Sequence, residues 1–148
     1  MTREGGYTLV ELLLVITLIA IMLAVAVPRI PTGATETQVR ASAREMAATL
    51  RAARGQAIHG NRSVPFVLDI EKRTYRVGDG ADRSVPPDIA VSLLTAKSEL
   101  VGGETGNIRF FPDGSSTGGR IRLKRPGRKN VPTEIVIDWI SGRVTVAD

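Results

Sequence analysis

Gly6-Tyr7-Thr8-Leu9-Val10-Glu11, followed by the apolar run Leu12 to Val27 and closed by Pro28, is the stretch on which the reading of this chain turns. From Tyr7 to Val27 there are 21 residues, interrupted only by Thr8, Glu11 and Thr17. As a helix the stretch spans roughly 31 Å, close to the hydrocarbon thickness of a bilayer. An ionisable group inside such a segment is costly in lipid, so Glu11 is the first candidate functional residue. Pro28 lacks an amide proton and clashes with the preceding turn. It either kinks the helix or ends it, with Pro31 and Gly33 reinforcing a break.

Two ordinary explanations compete. A secretory signal peptide needs a shorter apolar core, a basic start and a small-residue cleavage site. Ala24-Val25-Ala26 offers the last of these, but the run is long and Arg3 is offset by Glu4. A plain signal anchor gives no reason for Glu11.

Gly6-Tyr7-Thr8-Leu9-Val10-Glu11 before an apolar helix resembles the class III signal of type IV pilins and type II secretion pseudopilins. The resemblance implies that a membrane prepilin peptidase cuts between Gly6 and Tyr7 on the cytoplasmic side. Tyr7 then becomes the N-methylated first residue, and the apolar helix is retained. Glycine offers no side chain to obstruct a protease at that bond. A buried carboxylate is tolerable when paired. The family assigns the Glu11 position to pairing with the N-terminal amine of a neighbouring subunit, which sets register in the assembly. Tyr7 stands where phenylalanine is more usual.

The remainder, 32–148, is large enough for one modest domain. The chain has no cysteine, which excludes disulfides and thiolate metal sites. Its net charge of +5 permits acidic partners, anionic lipid or nucleic acid and requires none of them. Arginines flank both ends of the apolar run, so charge does not fix orientation. The topology, with the N-terminus cytoplasmic and the domain periplasmic, comes from the resemblance.

A second helix is expected from about Thr35 to His59. Val39, Ala43, Met46, Leu50, Ala53 and Ala57 recur at steps of three and four. Glu36 precedes Arg40 by four residues, the favourable order for a helical ion pair. Arg40, Arg44, Arg51 and Arg54 form a basic stripe that reads as a solvated face, and Gly60-Asn61 ends the helix. Strands are expected at Val64–Ile70, Thr74–Val77, Ile89–Leu94, Asn107–Phe111, Arg120–Lys124, Glu134–Ile140 and Arg143–Val146. The first two make a hairpin through Glu71-Lys72-Arg73, and residues 78–87 read as a polar loop. Ile135, Ile137 and Trp139 share a face expected to be core, with Ser141-Gly142 as the last turn. The fold class is α+β: a long N-terminal helix, its first half membrane-spanning, packed on an antiparallel sheet or small β-sandwich.

Phe110-Phe111-Pro112-Asp113-Gly114-Ser115-Ser116-Thr117-Gly118-Gly119 reads as a strand, a Pro-Asp-Gly turn and a small polar hairpin loop, with Arg120-Ile121-Arg122-Leu123 as the returning strand. It is similar to the domain shared by pseudopilin H of type II secretion and related minor type IV pilins. Asp138-Trp139-Ile140-Ser141-Gly142-Arg143-Val144 resembles that domain's closing hairpin.

No catalytic, cofactor or metal site is expected. Ser115, Ser116, Asp113 and His59 lack a spacing that demands contact and lack a nucleophile elbow. Asp79-Gly80-Ala81-Asp82 has too few ligands for a calcium loop. Gly78-Asp79-Gly80 and Gly102-Gly103 are not phosphate loops. Arg120, Arg122, Lys124, Arg125, Arg128 and Lys129 make a basic segment. Some minor pilins of the wider subgroup, however, take up DNA through a C-terminal Gly-Arg-x-Arg where this chain has Gly142-Arg143-Val144-Thr145. A nucleic-acid partner is therefore not expected.

Taken together, the resemblance implies a leader at 1–6, a transmembrane assembly helix at 7–31 and a periplasmic pilin-like domain at 32–148. It implies a minor pseudopilin of type II secretion that is not an enzyme, held in the inner membrane. Its partners would be other pseudopilins, major and minor, the prepilin peptidase, the inner-membrane secretion platform and the lipid bilayer. The alternative is a minor type IV pilin acting in pilus initiation or DNA uptake.

Overall fold

The computed structural model describes residues 8–26, 34–96, 100–101, 105–127 and 131–147. The chain forms two compact units, Met1–Thr32 and Gly33–Asp148. Gly6, Tyr7, Pro28, Arg128 and Lys129 lie outside the described residues, as does the join between the two helices.

The first unit holds α1 (Leu9–Ala26), 18 residues with Glu11 as the only charge. Thr8 at its start and Thr17 inside it bond within the helix. Thr8 Oγ1 accepts the Glu11 backbone N–H at 3.3 Å, and the Thr17 hydroxyl donates to the Leu13 carbonyl at 2.7 Å. Eighteen residues rise about 27 Å. Among the described residues no helix is long and apolar enough to cross a membrane. Tyr7 and Val27, which complete the span read from the sequence, are outside them.

In the second unit, α2 (Glu36–His59) starts at a capping box. The Thr35 side chain accepts from the Gln38 N–H at 3.2 Å, and Gln38 Oε1 accepts from the Thr35 N–H at 2.7 Å. Glu36 pairs with Arg40 at 3.1 Å. Each of the six apolar positions read from the sequence is buried, together with Ala47 and Thr49. Five of these eight are alanine or threonine, which lets the backbone of α2 lie close to the sheets.

Two antiparallel sheets receive it. The five-stranded sheet has the order β3-β2-β1-β6-β5, from β1 (Val64–Asp69), β2 (Thr74–Val77), β3 (Arg83–Ser84), β5 (Leu100–Val101) and β6 (Thr105–Phe110). The four-stranded sheet has the order β4-β7-β8-β9, from β4 (Ala90–Leu94), β7 (Gly119–Lys124), β8 (Thr133–Ile137) and β9 (Val144–Ala147). α2 packs on β1, β2 and β6 of the first sheet and on β7, β8 and β9 of the second. Alternate residues supply the core: Phe66, Leu68, Ile108 and Phe110 from one sheet, Ile121, Leu123, Ile135 and Ile137 from the other.

Three expectations are corrected. The Phe110–Gly119 loop is not a hairpin, because β6 pairs with β1 and β5 while β7 pairs with β4 and β8. Ser116 makes one bridge beside Phe110, and the chain then crosses to the other sheet. Residues 78–87 include β3, which pairs with β2. Trp139 is 66% exposed rather than core. β8 stops at Ile137, because the Asp138 carboxylate accepts the Ser141 N–H at 2.7 Å and its hydroxyl at 2.8 Å, turning the chain out of the strand.

Candidate assembly site

Of the predicted site residues, the structure places Glu11 in the first turn of α1, where the helix dipole favours a carboxylate. Every described side chain from Thr8 to Met22 is exposed. Leu12, Leu13, Leu14, Ile16, Leu18, Ile19 and Ile21 lie on all sides of the helix. An apolar cylinder of this kind is stable in lipid or against other apolar helices, not in water. Burying each such side chain is worth about 1.5–3 kcal/mol. Glu11 is therefore a single fixed charge on a surface that must be covered.

The second sequence motif folds around a residue that the sequence did not single out. Arg54, on the basic stripe of α2, donates through Nε to the Gly114 carbonyl at 3.0 Å and to the Ser141 carbonyl at 3.1 Å. Arg51 donates to the Val144 carbonyl at 3.1 Å. These two arginines reach partners 60 to 93 residues away; Arg54 is half-buried, whereas Arg51 is exposed as a solvated face would be. Arg40 of the same stripe pairs with Glu36 on its own helix. Only non-local contacts betray Arg51 and Arg54, so helical period alone could not find them.

Around Arg54 the loops are held by their own side chains. The Ser115 hydroxyl donates to Asp113 at 2.6 Å and its N–H does so at 2.9 Å. These bonds hold the Asp113 carboxyl below its usual pKa. The Ser141 N–H and hydroxyl do the same for Asp138. The Ser116 hydroxyl donates to the Asp138 carbonyl at 3.0 Å and accepts the Gly118 N–H at 3.0 Å. Both serines are thus occupied as loop fasteners, and no hydrogen bond joins His59 to them among the described residues.

The basic segment is partly neutralised. Glu134 of β8 pairs with Arg122 at 2.6 Å and with Arg120 at 3.4 Å. Among the described residues there is no group of three or more His, Cys, Asp or Glu side chains placed to hold a metal ion.

An apolar N-terminal helix, an amphipathic second helix and the antiparallel sheets it packs against define a pilin-like subunit. The solved minor pseudopilin EpsH from the type 2 secretion system of Vibrio cholerae shares this fold. It superposes with a TM-score of 0.61 at 8% identity, covering 77% of this chain and 98% of that one. A family model described as prokaryotic N-terminal methylation motif matches residues 1–27. A second, described as Type II transport protein GspH, matches residues 42–142. The chain belongs to the Type II transport protein GspH family. It is 33% identical to type II secretion system protein H of Xanthomonas campestris pv. campestris over 139 residues, covering 94% of this chain and 80% of that protein. It is also 26% identical to the competence protein ComGD of Bacillus subtilis over 147 residues, covering 99% and 95%.

Proposed function

We propose that this chain is a minor pseudopilin of type II secretion, a structural subunit of a periplasmic pseudopilus that supports protein export across the outer membrane. Membership of the GspH family carries the reading. The exposed apolar α1 supports it physically, since that surface is what a helical assembly would bury. In this reading residues 1–6 are a leader, 7–31 the membrane and assembly helix, and 32–148 the periplasmic domain. Prepilin peptidase cuts between Gly6 and Tyr7, and Tyr7 is N-methylated. Glu11 pairs with the amine of a neighbouring subunit and fixes its register. Other pseudopilins, the inner-membrane platform and lipid are the partners. The subunit does no chemistry of its own.

The test is deletion in the host, assaying exoprotein secretion beside twitching motility and DNA uptake, with complementation by wild type and by Glu11→Ala. Lost secretion with intact motility and uptake, restored by wild type and not by Glu11→Ala, is expected. Intact secretion with lost motility or uptake would move the assignment to a minor type IV pilin.

A further inference from the structure

The outer face of the four-stranded sheet carries a trough. Leu94, Arg120, Val136 and Thr145 are successive cross-strand partners on β4, β7, β8 and β9, and form one row across the sheet. The neighbours of this row on β7 and β8, Ile121, Ile135 and Ile137, point into the core, so the row faces outward. Two cavities lie along it. One of about 520 Å³ is lined by Leu94, Arg120, Val136 and Trp139 among others. The second, about 390 Å³, is lined by Val136, Asp138, Ser141, Arg143 and Thr145. Both are lined in part by Val136 and Asp138.

Three inter-strand steps give the row a length of roughly 14 Å, the reach of about four extended residues. One end is apolar, with Leu94 68% and Trp139 66% exposed. Trp139 is not loose there: the Asp138–Ser141 turn fixes its backbone, and its carbonyl accepts the Ser116 N–H at 3.0 Å. A rigidly presented, exposed tryptophan is the kind of side chain that anchors protein interfaces. Arg143 supplies a cationic group at the far end, whereas Arg120 in the middle is already paired with Glu134 at 3.4 Å. The Asp138 carboxylate is taken up inside its own turn by Ser141.

We infer that this trough docks an extended, acidic segment of a partner protein, which lays one large apolar side chain on Leu94 and Trp139 and carries a carboxylate toward Arg143. The inference deepens the proposed function and rests on it. A second copy of this chain is disfavoured by its net charge of +5.

The experiment places a photo-crosslinking amino acid at Trp139 in the full-length chain, expressed in its host, with a second version at Lys72 as the control. The expected result is a protein adduct at position 139 and none at 72. Mass spectrometry of the adduct should map it to a segment with an apolar residue and a carboxylate within four positions of one another. Arg143→Glu should cut the yield at least tenfold and Arg143→Lys should retain it, with equal thermal melting. No adduct, an adduct to nucleic acid, lipid or a second copy, or a yield indifferent to Arg143→Glu would each overturn the inference. If deletion abolishes secretion but position 139 gives no adduct, the trough assignment fails alone. If deletion leaves secretion intact, the proposed function fails irrespective of the crosslink.

Discussion

Arg54 Nε lies 3.0 Å from the Gly114 carbonyl oxygen, so a side chain near the C-terminal end of α2 holds the loop that carries the chain from one sheet to the other. The same nitrogen reaches Ser141 in the last turn. The two glycine-containing segments that resemble the family are therefore two sides of one cradle. Hydrogen bonds from charged donors contribute about 1.5–3 kcal/mol each. Arg54→Leu should lower unfolding stability by about 2–4 kcal/mol, and Arg54→Lys should recover part of the loss. Denaturant unfolding of the full chain in detergent checks both.

Gly142 has φ +59°, and a Cβ there would overlap the Gly114 carbonyl and crowd Arg54. Gly142→Ala should cost more than about 1–3 kcal/mol, since strain and overlap add. Gly55, inside α2, is the opposite case, because a Cβ there meets nothing within 4 Å. Gly55→Ala should stabilise by about 0.5–1 kcal/mol. Equal effects in thermal melts of the two variants would contradict this account of the cradle.

The Asp113 and Asp138 carboxyls are held below their ordinary value of 3.8 by Ser115 and Ser141. A depressed folded-state pKa contributes stability that is present above the unfolded value and is lost as pH falls. Stability should therefore decline from about pH 5 downward, through 3.8 and on to the lower folded values. Asp138→Asn should flatten that decline while leaving the slope above about pH 6 unchanged. Urea midpoints measured at several pH values test the sign.

Glu11 belongs to the first unit, so Glu11→Ala should leave the melting of the 34–147 fold unchanged. If Glu11 pairs with a neighbour's amine, its removal leaves a buried charge unmatched at about 3–5 kcal/mol, which corresponds to a more than hundredfold loss of incorporation. Glu11→Gln should fail as well, because the charge is what the amine requires. Sedimentation of assembled filaments against monomer separates incorporation from folding.

The elements with a strong period were legible in the sequence. Val39 through Ala57 repeat at helical spacing, and all six sit in the core. Val64, Phe66 and Leu68 alternate and are buried. The two-residue strands β3 and β5 are too short to carry any period, and pairing with longer neighbours alone defines them. Trp139 continues the alternation of Ile135 and Ile137 by spacing, yet the Asp138 turn intervenes before it. Phe110 to Gly119 has the composition of a hairpin, because turn chemistry is local and the choice of sheet is not. The place of Glu11 near the start of an apolar helix was legible, since a lone ionisable residue in an apolar run stands out. Arg54 was not, because on a helix surface it looks like any other arginine.

The cradle also sets an order of events during synthesis. α2 emerges from the ribosome early, but the partners of Arg54 and Arg51 at Ser141 and Val144 follow some 87 and 93 residues later. Until then the helix has a buried face waiting and two of its ties unmade. Closure of the domain is therefore tied to arrival of the β8–β9 segment. A chain stalled before residue 141 should present its α2 and first-sheet surfaces to chaperones and proteases rather than to partner subunits.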